Sequence, residues 1–374
     1  MSVQPPPKPM RERVVFLPSD VRPQGHDVST KASLAASLAR LLGADYAGSV
    51  EPAPGCAVGA YVVPCETLTL HEARQLGIGD ADDLFGGVVP RPFVATKVIT
   101  HPLVAADAQA PSGWMPAFAH RVADVVLDGF SVFGVGDARR ACARLLQGGS
   151  VRVKDAAGVG GSGQAVVADL QQFDALLASK DFAGPWPGGL VLERNLHQVR
   201  TVSVGQVRVG RWQLSYHGRQ RLTRNHRGAE VYGGSRLHLV RGGFEALFRT
   251  DLADAPRRAI QQALVYHRAA FSSFDGLFAS RSNYDVAQGL DDAGVWRSGV
   301  LEQSWRIGGA SGAEIAALHV LRDHPTLRWV QASTHEVYGE DAVAPPGAQV
   351  HFDARDARLG RLLKYTLVEA HGDD

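Results

Sequence analysis

The chain has 374 residues, more than one hydrophobic core usually serves, so two or three packed modules are expected. Lys and Arg number 39 against 38 Asp and Glu, a formal charge of +1, which excludes a global field for nucleic acid or an anionic membrane. Three cysteines without CxxC spacing argue against a disulfide framework or structural zinc, and no apolar run spans a bilayer, so a soluble, cytoplasmic protein is expected.

Residues 1–12 are proline-rich and read as a disordered tail. The run RVVFL at Arg13–Leu17 predicts a buried strand, and Leu34, Leu38, Leu41 and Leu42 predict a helix from Ser33 to Leu42 that stops at Gly43. A strand at Tyr61–Val63, a helix at Leu70–Leu76 and the pair Val88 and Val89 continue the alternation, so residues 13–95 are expected to form an open α/β sheet domain. A helical pattern between Pro116 and Gly129 precedes the run SVF and a helix from Asp137 to Gln147, for which Asp137 reads as the N-cap. Runs at Leu190–Leu192, Val202–Val209 and Trp212–Tyr216 predict one antiparallel sheet, followed by a helix near Ala255 to Ala270. There is no evident internal repeat.

Within SVRVKDAAGVGGSGQAVVADL, two strand-like runs enclose Gly158, Gly160, Gly161 and Gly163. The GxGxxG spacing alone is weak, because a dinucleotide loop must open a helix, whereas Ala165, Val166 and Val167 read as a strand. A glycine hairpin folded over a nucleotide's phosphates fits better, and a period of two puts Arg152 and Lys154 on one face beside it. A nicotinamide oxidoreductase survives only if Gly163 opens a helix.

The segment Ser282–Ser311 carries two strand-like runs around an Asp-Asp-Ala-Gly turn signal. With the turn centred at Ala293 and Gly294, Asp285 lies opposite Glu302 and Asn283 opposite Ser304. Opposed carboxylates have Cβ atoms about 5 Å apart and repel unless neutralised. Oxygen ligands without histidine or cysteine favour Mg²⁺ shared with phosphates, with Asp285, Glu302 and Ser304 as the candidate ligands. Arg306 follows, then Gly308 and Gly309, and Ser311 with Glu314 reads as a capping box opening a helix whose N-terminus suits an anion. The densest basic stretch holds Arg219, Arg221, Arg224, Arg227 and Arg236, whose guanidinium forks match a carboxylate or acyl phosphate. His335 and Glu336 lack a third metal ligand at a recognisable spacing.

These pieces, in this order from Thr96 to Ser311, resemble the ATP-grasp superfamily of carboxylate–amine ligases, or a bacterial family of unknown function within or near it. The resemblance implies an ATP-grasp fold of α/β lobes, with a first lobe at 96–192, a second at 193–322 and a C-terminal extension at 323–374. It implies ATP and Mg²⁺ as cofactors, with Lys97, Lys154 and the four glycines at the phosphates and Glu193, Asn195 and Leu196 lining the adenine hinge. Arg306, with Lys154, would stabilise the transferring phosphoryl group, and the basic stretch with Gly308, Gly309 and Ser311 would face the substrate. Ser304 stands where the family carries asparagine, and Arg200 where an acid grips the ribose. The expected activity is conversion of a small-molecule carboxylate to an acyl phosphate for attack by an amine or other nucleophile. The alternatives are a kinase-like phosphotransferase and a nonenzymatic nucleotide sensor.

Overall fold

A computed structural model describes residues 11–19, 25–158, 163–180, 182 and 184–373. The first strand, β1 (Arg13–Leu17), is followed by α1 (His26–Leu42), β2 (Asp45–Ser49) and β3 (Ala60–Pro64), giving a parallel sheet in the order β2-β1-β3. Apart from Arg13, β1 is buried, as the central strand of a covered parallel sheet must be. Helix α1 begins seven residues before the expected Ser33 and so carries Lys31 on the same buried stripe as Leu34 and Leu38. It ends at Gly43, whose φ of 67° lies in the left-handed region that glycine tolerates. Next come β4 (Leu68–Thr69), α2 (Leu70–Leu76), closed by a Thr69–Glu72 capping box, and β5 (Gly87–Val89). Two 3-10 turns, Pro92–Ala95 and Lys97–Thr100, lead out of this domain.

The second unit contains α3 (Pro116–Val122), β6 (Gly129–Val132), α4 (Val135–Leu145), β7 (Val151–Asp155), β8 (Gln164–Val167), α5 (Leu170–Ala178) and β9 (Leu190–Arg194). Its four strands run in the order β6-β9-β7-β8. Leu190–Leu192 therefore joins this sheet and not the long antiparallel one, because an apolar run does not encode its partner. A division at 192/193 would cut β9. Asp137 is not the cap of α4: Gly134 holds that position, and the Asp137 carboxylate accepts from the Gln109 amide and from Arg140. Gly163 leads into β8, which pairs antiparallel with β7, so the loop does not open a helix and the nicotinamide reading falls.

The third unit contains β10 (His197–Val209), β11 (Trp212–Arg224), β12 (Glu230–Arg241), α6 (Phe244–Leu247), α7 (Asp254–Ser273), β13 (Phe278–Ala279), β14 (Arg281–Leu290) and β15 (Trp296–Ser304). It continues through α8 (Ser311–Asp323), β16 (Trp329–Tyr338), β17 (Gln349–Asp356) and β18 (Gly360–Gly372). One sheet takes the order β15-β14-β10-β11-β12-β16-β18-β17, so residues 323–374 supply three of its strands. On one face Leu214, Tyr216, Leu237 and Leu239 pack with Leu34 and Leu38 of α1 and Ile315 and Leu318 of α8. On the other, Val202, Val204, Tyr284 and Val286 pack with Ile260 and Tyr266 of α7. Among the described residues no helix is long and apolar enough to cross a membrane.

Candidate active site

The β14–β15 hairpin is set by its turn. Asp291 accepts from the Ala293 and Val295 amides, and Gly294 adopts a φ of 76° that few other residues tolerate. The resulting register pairs Asp285 with Glu302 and Asn283 with Ser304. A bulge at Leu301 follows, since Val286 pairs with Val300. Asp285 is half-buried and accepts from Ser203 Oγ at 2.9 Å, Gln220 Nε2 at 2.8 Å and Asn283 Nδ2 at 3.0 Å. Burial first, and then the neighbouring Glu302, still push its carboxyl above the usual range. A pair of acids with neutral donors on one and a single lysine on the other suits a divalent cation. Among the described residues no group of three or more His, Cys, Asp or Glu gathers as a self-sufficient metal site, as expected when phosphates complete the shell.

Lys97 ties this hairpin to the glycine loop. Its Nζ lies 3.0 Å from Glu302 Oε2 and donates to the Gly158 carbonyl at 2.5 Å. The turn that carries it is gripped by Gln303, whose amide donates to the Val94 and Thr96 carbonyls at 2.9 and 2.8 Å. One strand thus aims Glu302 at the site with one residue and anchors Lys97 with the next. Gly160 and Gly161 lie outside the described residues.

On β7, Lys154 is buried against Glu193, whose second oxygen lies 3.3 Å from His101 Nε2. Burial alone would raise the Glu193 carboxyl, but Lys154 and His101 hold it at about 2. Arg152 shares this face and donates to Asn195 Oδ1 at 2.8 Å. Leu196, two residues past the end of β9, packs with Leu127, Ala287 and Leu301 in a small apolar cluster of its own.

Other expected residues are placed differently. The Ser304 hydroxyl accepts from the Arg281 guanidinium at 3.3 Å, which sets a cation where a metal ligand was expected. The Ser311–Glu314 capping box does not form: Ala310 is the N-cap, the Gly308 amide donates to Ser311 Oγ, and the Gly309 carbonyl accepts from Thr334. Glu314 instead turns inward, fully buried, to accept from Arg281 and from Tyr216 Oη. Arg306 lies 3.3 Å from Glu66, just past the end of β3. Gln220 reaches Asp285, so alternation puts Arg219 and Arg221 on the opposite face, with Arg236 paired across from Arg219. Arg221 there contacts His335, and Arg236 pairs with Glu369, away from the carboxylates. Arg224 and Arg227 are exposed at the β11–β12 tip, and Arg200 is exposed on β10. The basic stretch therefore does not converge on the site.

Sequence reading did not single out Ser203, Gln220, Lys31, Glu66 or Lys364, and weighed Glu336 only beside His335 as a metal ligand. The lysines carried a signal: Lys31 sits on the apolar stripe of α1, and Lys364 interrupts the apolar run LLKYTL.

Over residues 14–366 the sequence matches the family described as "Protein of unknown function (DUF3182)". The chain belongs to that family. No curated protein matches the sequence significantly. Among solved structures, N5-carboxyaminoimidazole synthetase from Staphylococcus aureus is similar with a TM-score of 0.50 at 13% identity, covering 96% of this chain and 94% of that one. Biotin carboxylase from Campylobacter jejuni, in a complex with β,γ-ATP, gives 0.52 at 10% identity, covering 96% and 87%. Phosphoribosylamine–glycine ligase from Thermotoga maritima gives 0.51 at 14% identity, covering 96% and 93%. This DUF3182 chain thus has the ATP-grasp fold that the motif order implied, preceded by an open α/β sheet.

Proposed function

We propose that the protein is an ATP-dependent ligase that activates a carboxylate as an acyl phosphate for attack by an amine or other nucleophile. The observation that carries this reading is the Asp285–Glu302 pair, linked through Lys97 to the Gly158 carbonyl of the glycine hairpin. Asp285 and Glu302 would hold Mg²⁺, which, when bound, supplies positive charge to the phosphate oxygens. Lys97 would exchange its present partners for phosphate oxygens, and Lys154, fixed by Glu193, would present its ammonium beneath the loop. The apolar cluster at Leu196, Leu127 and Ala287 would take the adenine face. Arg306, past the end of β15, would stabilise charge on the transferring group and orient the acid, so catalysis would be positioning and electrostatics without a covalent nucleophile.

A coupled ADP-release screen over carboxylates, with and without amines, tests this. ADP release should require an acid, hydroxylamine should trap the activated acyl group as a hydroxamate, and Lys154→Ala and Glu302→Ala should remove both signals. A nonenzymatic nucleotide sensor is the second reading, favoured by the Arg281 guanidinium on Ser304. Tight Mg·ATP binding without ADP release across the whole panel would select it.

A further inference from the structure

Beside the paired carboxylates lies a second group of charges, of which the proposed ATP chemistry uses Arg306 alone. It is built from five separate stretches of chain. The first turns of α1 contribute Asp27 and Lys31, whose charged groups are 2.8 Å apart. Lys31 is 4% exposed, and its ammonium also donates to the Cys65 carbonyl at 3.4 Å and lies 3.1 Å from Cys65 Sγ, which places it at the end of β3. The next residue there, Glu66, pairs with Arg306. On the eight-stranded sheet, Glu336 of β16 and Lys364 of β18 are cross-strand partners and pair at 2.8 Å, with Lys364 only 6% exposed.

These groups face one space. Alternation along β16 puts Glu336 on the face of Ala332 and Thr334, the face that packs on α8 and that also carries Asp285. The start of α1 is fastened over it, since the His26 amide donates to Asp356 Oδ2 at 3.2 Å. Asp27 responds to all three parts: burial would raise its carboxyl, but Lys31 first, then Lys364 and Arg306, hold it below its ordinary value. Among the described residues His26 Nδ1 is buried without a hydrogen-bond partner, an unmet polar atom at the edge of this space. The location also accords with the general rule that open α/β sheets bind ligands beyond the carboxyl ends of their strands, here at Cys65 and Glu66 after β3.

Within the three ion pairs the charges balance, while Asp356 at the edge is held by the His26, Arg358 and Leu359 amides. Lys31, Lys364 and Arg306 oppose Asp27, Glu336 and Glu66, and each cation already has its own acid. A dicarboxylate entering this space would add negative charge beside three acids, and a diamine would add positive charge beside two nearly buried lysines. At the two nearly buried lysines, a ligand carrying one charge of each sign can re-pair with both members of an ion pair and leave neither stranded where the dielectric is low.

We infer that the acid bound here is a zwitterion: a small amino acid whose carboxylate meets Arg306 and the lysines, and whose ammonium meets Glu66, Asp27 or Glu336. The inference rests on the ligase reading for what happens to the carboxylate, but the binding site stands on its own residues. The experiment pairs calorimetry with the ADP-release assay. The probes are glycine, β-alanine and glutamate against acetate, propionate and glutarate, each added to full-length protein with a nonhydrolysable Mg·ATP analogue. An amino acid should bind at least tenfold more tightly than its deaminated match, and the preferred one should show the same ratio in kcat/KM. Lys364→Met should weaken amino-acid binding at least tenfold. Lys364→Met/Glu336→Leu removes both charges, so a loss there cannot be ascribed to a stranded acid, with Mg·ATP affinity as the control for a folded lobe. Equal binding of the deaminated acids, or no amino acid bound at millimolar concentration by protein that binds the nucleotide, overturns the inference. Amino-acid binding without ADP release keeps it and sinks the ligase reading instead.

Discussion

Glu302 and Glu314 lie twelve residues apart on either side of Arg306, and their surroundings differ in kind. Glu314 is fully buried, and its carboxylate accepts from Arg281 Nε at 3.1 Å, from Arg281 Nη2 at 2.8 Å and from Tyr216 Oη at 2.6 Å. Arg281 extends the network by donating to the Arg306 carbonyl at 2.7 Å, which fixes the exit of β15. Glu302 is 36% exposed, with one lysine beside it and an acid across the ladder. A saturated carboxylate holds a scaffold together, whereas an unsaturated one facing its own kind is a site in want of a cation.

The largest effect should come from breaking the saturated side. Arg281→Met strands Glu314 without its countercharge and should cost about 3–5 kcal/mol of stability, read by urea unfolding. A loss below about 1 kcal/mol would show that the buried pair is not what holds the hairpin to α8. On the unsaturated side the costs should reverse. Glu302→Gln is expected to lower acid-dependent ADP formation by about 100- to 1,000-fold while shifting stability by less than about 1 kcal/mol. Comparable losses of activity and stability would erase the distinction between the two acids.

A smaller effect sharpens the same point through pH. The folded state raises the Asp285 pKa, so it binds the proton more readily than the unfolded chain, and stability contributed by this group falls as pH rises through the folded pKa. Asp285→Asn should therefore stabilise metal-free protein at neutral pH and leave it almost unchanged below the unfolded carboxylate range near pH 3.8. Thermal melts across that range, with and without Mg·ATP, check it, and a destabilised variant at neutral pH would refute it. The smallest change is expected on the far face of the sheet. Arg221→Ala should alter stability by under about 0.5 kcal/mol and ADP formation by less than twofold, and a loss like that of Glu302→Gln would return the basic stretch to the site.

Much of the hairpin was legible because its signals are local. The acidic turn residue, the glycine and a period of two fix which residues oppose one another, whatever packs above them. The Ser311–Glu314 motif misled for the opposite reason. Its spacing is that of a cap, but a buried guanidinium offers the glutamate three charge-assisted hydrogen bonds where the cap offers one. The arginine run misled by composition, since charge density along a strand does not say which face each residue takes until one of them is anchored, as Gln220 is on Asp285. Lys364 went unread because its acid lies across the ladder on β16, and Lys31, although Asp27 stands four residues before it in α1, because only tertiary structure brings the five stretches together.

The order of strands at the far end of the large sheet carries a consequence for synthesis. Strand β18 inserts between β16 and β17, although both precede it in the chain. As the polypeptide emerges from the ribosome, β17 has nothing to zip against until its neighbour follows, and the wall bearing Lys364 is the last piece of this sheet to be laid down. A nascent chain paused after β17 would have every residue proposed to handle the nucleotide and none of that wall. Ribosome-bound intermediates should accordingly acquire protection in the hairpin of paired acids before they acquire it at the opposite edge.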